Sequence, residues 1–354
     1  MFNLRIPILL IALVVSTHKV SAEPDRTAIA ALYEKAKQEG MLVWAVTDPE
    51  SEVRAVITAF NKIFPGIKVR QLSQESSELI SRILLEEQAG RVTIDVTSPG
   101  HGKMVVDLNI AQDLTDVILM FGADPNYAYW GNRVWAKVLA PYGVIYNTKR
   151  VSQAEIPKAW SDVSNSRFKG NLIIENRLKE FIYITDIPAY GGSFPQLWSE
   201  TKVSNFVLQV QKNNPVIVHG VPRVVAEVAS GEHAIAVTNL SQYDTVLKRG
   251  APIAIAPTPF VPAVGILQFV PMHAPHPNAA KLFAGFLMSP EGRIAWADGR
   301  PSSDLTLSGN SKFAVSMRQA GPPQIVPLPP DINLEYERLQ KTYSEIMGIK
   351  PGGS

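Results

Sequence analysis

The sequence contains no cysteine among its 354 residues. That excludes disulfides, thiolate zinc sites, a thiol nucleophile and lipid attachment at an N-terminal cysteine. It also lacks any excess of one charge, with 34 Lys and Arg against 32 Asp and Glu. A chain so balanced has no electrostatic footprint for nucleic acid or anionic lipid. Beyond the N-terminus no apolar run is long enough to cross a bilayer, since Val261–Met272 is interrupted by Pro262 and Pro271. The G-x-S-x-G elbow, the P-loop, H-E-x-x-H and G-x-G-x-x-G are all absent.

What is present begins with Arg5, the apolar run Ile6–Val15 and the small residues Val20-Ser21-Ala22 before Glu23. This reads as a cleaved secretory signal over residues 1–22. Removing it takes away Arg5 and Lys19 and no acid, leaving 32 basic and 32 acidic residues. The compartment expected is the periplasm. The remainder, 46% hydrophobic and 19% charged over the whole chain, is globular and long enough for two lobes.

The first third alternates helix and strand. Thr27–Glu39 is an amphipathic helix ending at Gly40, and Met41–Val46 a buried strand. Thr47-Asp48-Pro49-Glu50 has a capping-box pattern before a helix carrying Val53, Val56, Ile57 and Phe60. Ile67–Leu72, a helix from Ser76 to Gly90 and Ile94–Thr97 continue the pattern. Such an order implies parallel strands, whose carboxyl ends border the ligand crevice. Thr47–Glu50, Ser73–Ser77 and Ser98–Gly102 all fall there. The aromatic stretch Tyr127–Trp135 reads first as loop packing and second as a stacking surface for a ligand. Tyr142–Asn147 is a strand able to cross between lobes. A second α/β unit follows, with strands Asn171–Ile174, Pro215–His219 and His233–Thr238, and helices near Phe181–Thr185, Ser204–Lys212 and Arg223–Ser230. Pro257–Pro262 looks like a return connection, Asn278–Met288 an amphipathic helix and Leu334–Met347 a last one.

Most basic residues fall on solvated helix faces. Arg177 and Lys179 instead follow a strand, and Arg223 opens a helix. Guanidinium groups so placed are receptors for carboxylate or phosphate. His101, between Gly100 and Gly102 where backbone can approach a ligand, is a candidate pocket residue, and His219 a weaker one. His273-x-x-His276 has metal-like spacing, but its flanking prolines favour a turn-and-cap role.

Several stretches, in this order and spacing, resemble the family 1 extracellular solute-binding proteins of ABC importers, in the branch near the periplasmic ferric-ion-binding proteins. They are Ala55–Phe60 with Gly66–Val69, Ser76–Gly90 leading to Ile94-Asp95-Val96, Tyr142–Thr148, Ala159–Asp162 with Phe168-Lys169-Gly170, Val228–Glu232, and His276–Lys281 with Phe286–Gly292. The resemblance implies an α/β type II periplasmic binding protein fold, two lobes joined by a hinge around a ligand cleft. It also implies delivery of the solute to a permease in the inner membrane. Expected boundaries are 23–125 and 257–300 for lobe 1, 126–256 for lobe 2, and 301–354 for a C-terminal extension packing on lobe 2. The relatives' iron ligands do not carry over. Pro49, Gly100, Ser241 and Gln242 align with their histidine, glutamate and two tyrosines, although one-residue shifts would bring in Asp48, His101 or Tyr243. Asn239 matches an asparagine that helps hold the accompanying anion, and Leu178–Glu180 falls on their anion-binding loop.

The expected function is capture of a small anionic organic solute, a carboxylate or phosphorylated compound, without enzymatic activity, cofactor or metal, by a monomer. Thr47, Ser76, Ser77 and Ser98 would contribute from lobe 1, and Arg177, Arg223 and Asn239 from lobe 2. Ferric iron held by Asp48, His101 and Tyr243 is the alternative within the family. Further alternatives are an exported enzyme using His101 as general base, and signalling to a membrane receptor in place of import.

Overall fold

The computed structural model describes residues 23–48, 50–74, 76–98, 102–303, 310–321 and 324–349. Residues 1–22, where a signal segment was expected, Pro49, Gly100 and His101 lie outside them, as do the side chains of Ser76 and Ser77. No helix among the described residues is long and apolar enough to cross a membrane.

The chain opens with α1 (Arg26–Glu39), whose N-terminal amides at Thr27 and Ala28 are capped by Asp25 and whose end turns left-handed at Gly40. Then come β1 (Met41–Val46), α2 (Glu50–Ile63), β2 (Lys68–Ser73), α3 (Ser76–Gln88), the short β3 (Val96–Thr97), α4 (Gly102–Asp107) and α5 (Thr115–Met120). β1 lies between β2 and β3 and is parallel to both, as the alternation required. Its residues Leu42–Val46 are all buried, which is why it reads as a continuous apolar run.

Next are β4 (Ala128–Tyr129) and β5 (Val134–Asn147), one 14-residue strand buried along its whole length. The sequence showed only its Tyr142–Asn147 end, because Lys137 and Pro141 interrupt the apolar pattern. The second α/β unit contains β6 (Leu172–Glu175), α6 (Lys179–Ile182), α7 (Glu200–Lys212), β7 (Val216–Val218), α8 (Val221–Ser230), β8 (Ile235–Asn239), α9 (Tyr243–Lys248) and β9 (Ile253–Ile255). α7 starts four residues earlier than the hydrophobic pattern indicated, because Ser199 caps it through the Lys202 amide. β10 (Phe260–Gln268) returns antiparallel to β5, with an irregularity between Ile266 and Leu267 that leaves Lys137 without an opposite residue. α10 (Pro277–Met288) and α11 (Pro290–Gly299) follow. The Pro-rich tail then supplies α12 (Lys312–Gln319), β11 (Gln324–Leu328) and α13 (Tyr336–Met347).

Among the described residues, β2-β1-β3 form one sheet and β11-β10-β5-β8-β6-β7 the path of the other. Two sets of apolar packing match. The first joins α1–α5, β1–β3, α10 and α11, with Trp44, Phe60, Phe283 and Phe286 in edge-to-face contact. α10 is apolar almost all round and correspondingly buried. The second set is two clusters on the larger sheet, one with α6, α7 and α13 and the other with α8, α9 and α12. β5 runs through both, contributing Val134–Leu139 to the first and Ala140, Tyr142 and Val144 to the second. β10 does likewise through Leu267 and Val264. These two antiparallel strands connect the two sets, the position of the expected hinge.

Candidate functional site

The carboxyl ends of β1 and β3 meet the hinge at a buried ion pair. Thr47 is exposed, but Asp48 turns inward, and its carboxylate accepts from the Lys137 ammonium. Lys137 is fully buried on β5, and its Nζ stands 4.8 Å from the Trp296 ring centroid and 5.9 Å from that of Trp44. Arg300, at the end of α11, approaches Asp48 at 3.4 Å and Glu52 at 3.6 Å. Burial alone would raise the Asp48 carboxyl, but Lys137 and then Arg300 outweigh it and hold it below its ordinary value. Glu52 is raised by burial. Ser98 is buried after β3, and its hydroxyl has no hydrogen-bond partner among the described residues.

The second half of the site forms where β6 and β8 end. Arg177 donates through Nε to Glu175 Oε1 at 2.6 Å, and its side chain is 43% exposed. Leu178 takes a left-handed conformation, φ 52°, at the turn into α6, a conformation that costs a non-glycine residue energy and collects at functional turns. Glu180 is buried, and its carboxyl is pushed up to about 8 by burial, with Glu175 adding to the effect. Lys179, lowered by burial and by Arg177, places Nζ 5.6 Å from the Tyr336 ring centroid. Asn239 stands opposite Tyr142 in the β5–β8 register and hydrogen-bonds its hydroxyl, while its Oδ1 accepts from the Ser241 amide at 2.8 Å.

Thus Asp48 and Ser98 belong to one half of the site, Arg177 and Asn239 to the other. Two expected residues are placed elsewhere. Arg223 is 64% exposed and lies along α8 on Glu227 at 2.7 Å, which in turn meets His233 at 3.1 Å. The guanidinium is therefore drawn toward the far end of α8 and away from its N-terminus. Tyr243 is buried with its hydroxyl on Ser316 Oγ at 3.0 Å, tying α9 to α12. His219 is exposed. His273 and His276 pair with two different carboxylates, Glu87 at 2.5 Å and Asp95 at 2.9 Å. The approach to Gly102 is taken by Trp130, whose ring lies 2.4 Å from where a Cβ would stand. Tyr127 lies under the Arg293 guanidinium at 3.7 Å and, with Tyr129, lines a depression against Pro327–Pro329, while Trp135 is buried with its indole N–H unpartnered among the described residues.

Sequence reasoning missed Lys137, Arg300, Glu52 and Gln268. For Lys137 and Gln268 there was a signal, a single polar residue inside an otherwise apolar stretch. Two surface depressions lie elsewhere, one along α3 at Glu78, Arg82 and Leu85, another between α2 and β2 at Arg54, Ile57 and Gln71. Neither touches the hinge strands.

Residues 55–305, more than half of the chain, match the family described as bacterial extracellular solute-binding protein. The chain belongs to that family. An uncharacterized protein of Haemophilus influenzae is 28% identical to the solute-binding protein over 189 residues, 50% of this chain and 51% of its own. The chain thus spans about half the length of the curated relative it matches. Iron-bound HitA from Pseudomonas aeruginosa superposes with a TM-score of 0.64 at 16% identity, over 86% of this chain and 99% of that one. The periplasmic binding protein AfuA from Actinobacillus pleuropneumoniae, with fructose-6-phosphate bound, does so with 0.60 at 18% identity, over 88% and 100%. The solute-binding protein therefore has the type II periplasmic binding protein fold, two α/β lobes on a hinge with a ligand cleft between them.

Proposed function

We propose that this protein is the periplasmic receptor of an ABC importer, capturing a small anionic organic solute between its lobes and presenting it to a permease. In this reading the lobes are 23–125 with 257–300, and 126–256 with the extension 301–354. The observation that carries it is the charge arrangement around the hinge. Lys137 and Arg300 on one side, and Arg177 and Lys179 on the other, meet Asp48, Glu52, Glu175 and Glu180. Burial raises Glu52 and Glu180 and likewise lowers Lys137 and Lys179, so the guanidiniums of Arg177 and Arg300 are the groups best suited to meet an anion. Of the four cations, Arg177 retains the most open side chain, and a guanidinium suits carboxylate or phosphate. Ligand would stabilise the closed form through contacts to the second lobe that the open form lacks.

Iron capture by Asp48, His101 and Tyr243 is disfavoured. The Asp48 carboxylate is already neutralised by Lys137, and the Tyr243 hydroxyl is engaged by Ser316. A thermal-shift panel of carboxylates, sugar phosphates, phosphonates and ferric salts tests the reading, since a ligand selective for the native state raises Tm. The expected result is a rise with at least one organic anion, reduced about tenfold in affinity by Arg177→Gln. A response to ferric salts alone, with a tyrosinate colour, would overturn it.

A further inference from the structure

The hinge carries a second set of polar groups that the charge arrangement does not use. Thr97 and Phe269 exchange two backbone hydrogen bonds, 3.1 and 2.9 Å, as an antiparallel pair. Ser98 therefore stands opposite Gln268. On the other edge of β10, Gln268 stands opposite Trp135. Directly opposed residues of antiparallel strands project to the same face, so Ser98, Gln268 and Trp135 make one transverse row across β3, β10 and β5. All three are buried, Gln268 completely. The Ser98 hydroxyl, the Trp135 indole N–H and both ends of the Gln268 amide have no hydrogen-bond partner among the described residues. A buried glutamine with neither end satisfied is costly and rare unless something polar comes to it. The row lies one step from Lys137, two residues along β5 from Trp135, and thus beside the ion pair with Asp48.

We propose that Ser98, Gln268 and Trp135 form a hydrogen-bonding subsite of the cleft that receives an uncharged polar portion of the solute, a run of hydroxyls. The inference rests on the anionic-solute reading and narrows it. An amide presents a donor and an acceptor side by side, the serine hydroxyl offers both and the indole N–H donates. A carboxylate or phosphate, which only accepts, would leave Gln268 Oε1 unsatisfied. Adjacent hydroxyls both donate and accept, and they match the row. The solute class is then a polyhydroxylated anion, a sugar acid or sugar phosphate, in preference to an unsubstituted carboxylate. A site built for hydroxyls rejects the analogue lacking them because its own buried groups are left unpaired.

The test is calorimetric binding to the mature chain of matched probes: D-gluconate with hexanoate, glycerol 3-phosphate with propyl phosphate, and neutral D-glucitol. The hydroxylated member of at least one pair is expected to bind about tenfold or more tightly than its deoxy partner. Gln268→Leu should abolish the difference while leaving the deoxy partner unchanged. Discrimination that persists in Gln268→Leu, or a deoxy anion bound as tightly as its hydroxylated partner, overturns the subsite and leaves the anionic reading standing. Glucitol bound in a Gln268-dependent way, with no anion bound, does the reverse. If no probe binds, melting of the ligand-free Gln268→Leu and Gln268→Met variants decides. An unchanged or raised Tm supports an amide held unpaired for a ligand, and a clear drop in both variants shows it already paired and overturns the proposal.

Discussion

A lysine inside a fully buried strand is tolerated only with its counter-charge in place, and Lys137 has one in Asp48. Glu180 is the opposite case. Its carboxyl has Glu175 and Arg177 from the β6 end, Lys179 from its own helix, Tyr142 from β5 and Tyr336 from α13 around it, and burial, with Glu175 adding to it, outweighs the nearby positive charge. Between the ordinary carboxyl range and about 8 the folded chain keeps a proton that the unfolded chain has released, so stability falls as pH rises through that window. Below the window the contribution is complete. Glu180→Gln removes the penalty, and its Tm should exceed the wild-type value by a few degrees at pH 9 and coincide with it near pH 4. Scanning calorimetry at both pH values checks this, and parallel curves would refute it. Individual residues were legible unevenly. The two prolines around His276 pointed to a turn before a helix; there Asp95 accepts from the His276 ring and amide and from the Val43 amide, while the first amides of α10, at Asn278 and Ala279, donate to Glu39. Arg177 and Arg223 looked equivalent at helix starts, because nothing in a linear sequence shows that Glu227 draws one of them aside.

Elements with an uninterrupted period were readable from composition alone, and those carrying one discordant residue were not. α2 and α8 appear where their apolar faces placed them. β5 was seen for less than half its length because Lys137 and Pro141 break its pattern, although both are accommodated next to β10. β11 was hidden in a Pro-rich tail. Pro327 is tolerated there because β11 is an edge strand with a partner on one side only. The α9–α12 contact made by Tyr243 and Ser316, reinforced by Asp244 accepting from the Phe313 amide at 3.0 Å, is scaffold. Tyr243→Phe should cost about 1 kcal/mol, read as a Tm lower by roughly 2–4 °C, with solute affinity unchanged. A loss of affinity at unchanged Tm would return Tyr243 to the ligand set.

At the scale of the molecule, two lobes on two strands must bend somewhere. Gly265 marks a close approach within the β5–β10 pair. A Cβ built there would stand 2.9 Å from Ala136 Cβ and 3.2 Å from Leu267 Cδ2. Gly265→Ala should therefore destabilise the protein by about 1–3 kcal/mol through overpacking. It should also reduce the contraction that solute produces in small-angle X-ray scattering. Contraction equal to wild type would place the bending elsewhere.

β11 pairs with Phe260–Val264 and does not reach the segment from Gly265 to Gln268. In the proposed two-lobe reading it would splint one half of the hinge and displace the crease toward the first lobe, into the few residues around Gly265 and Lys137. The tail would then travel with the larger jaw, and the smaller one would swing, carrying the buried Asp48 and Ser98 on its inner side.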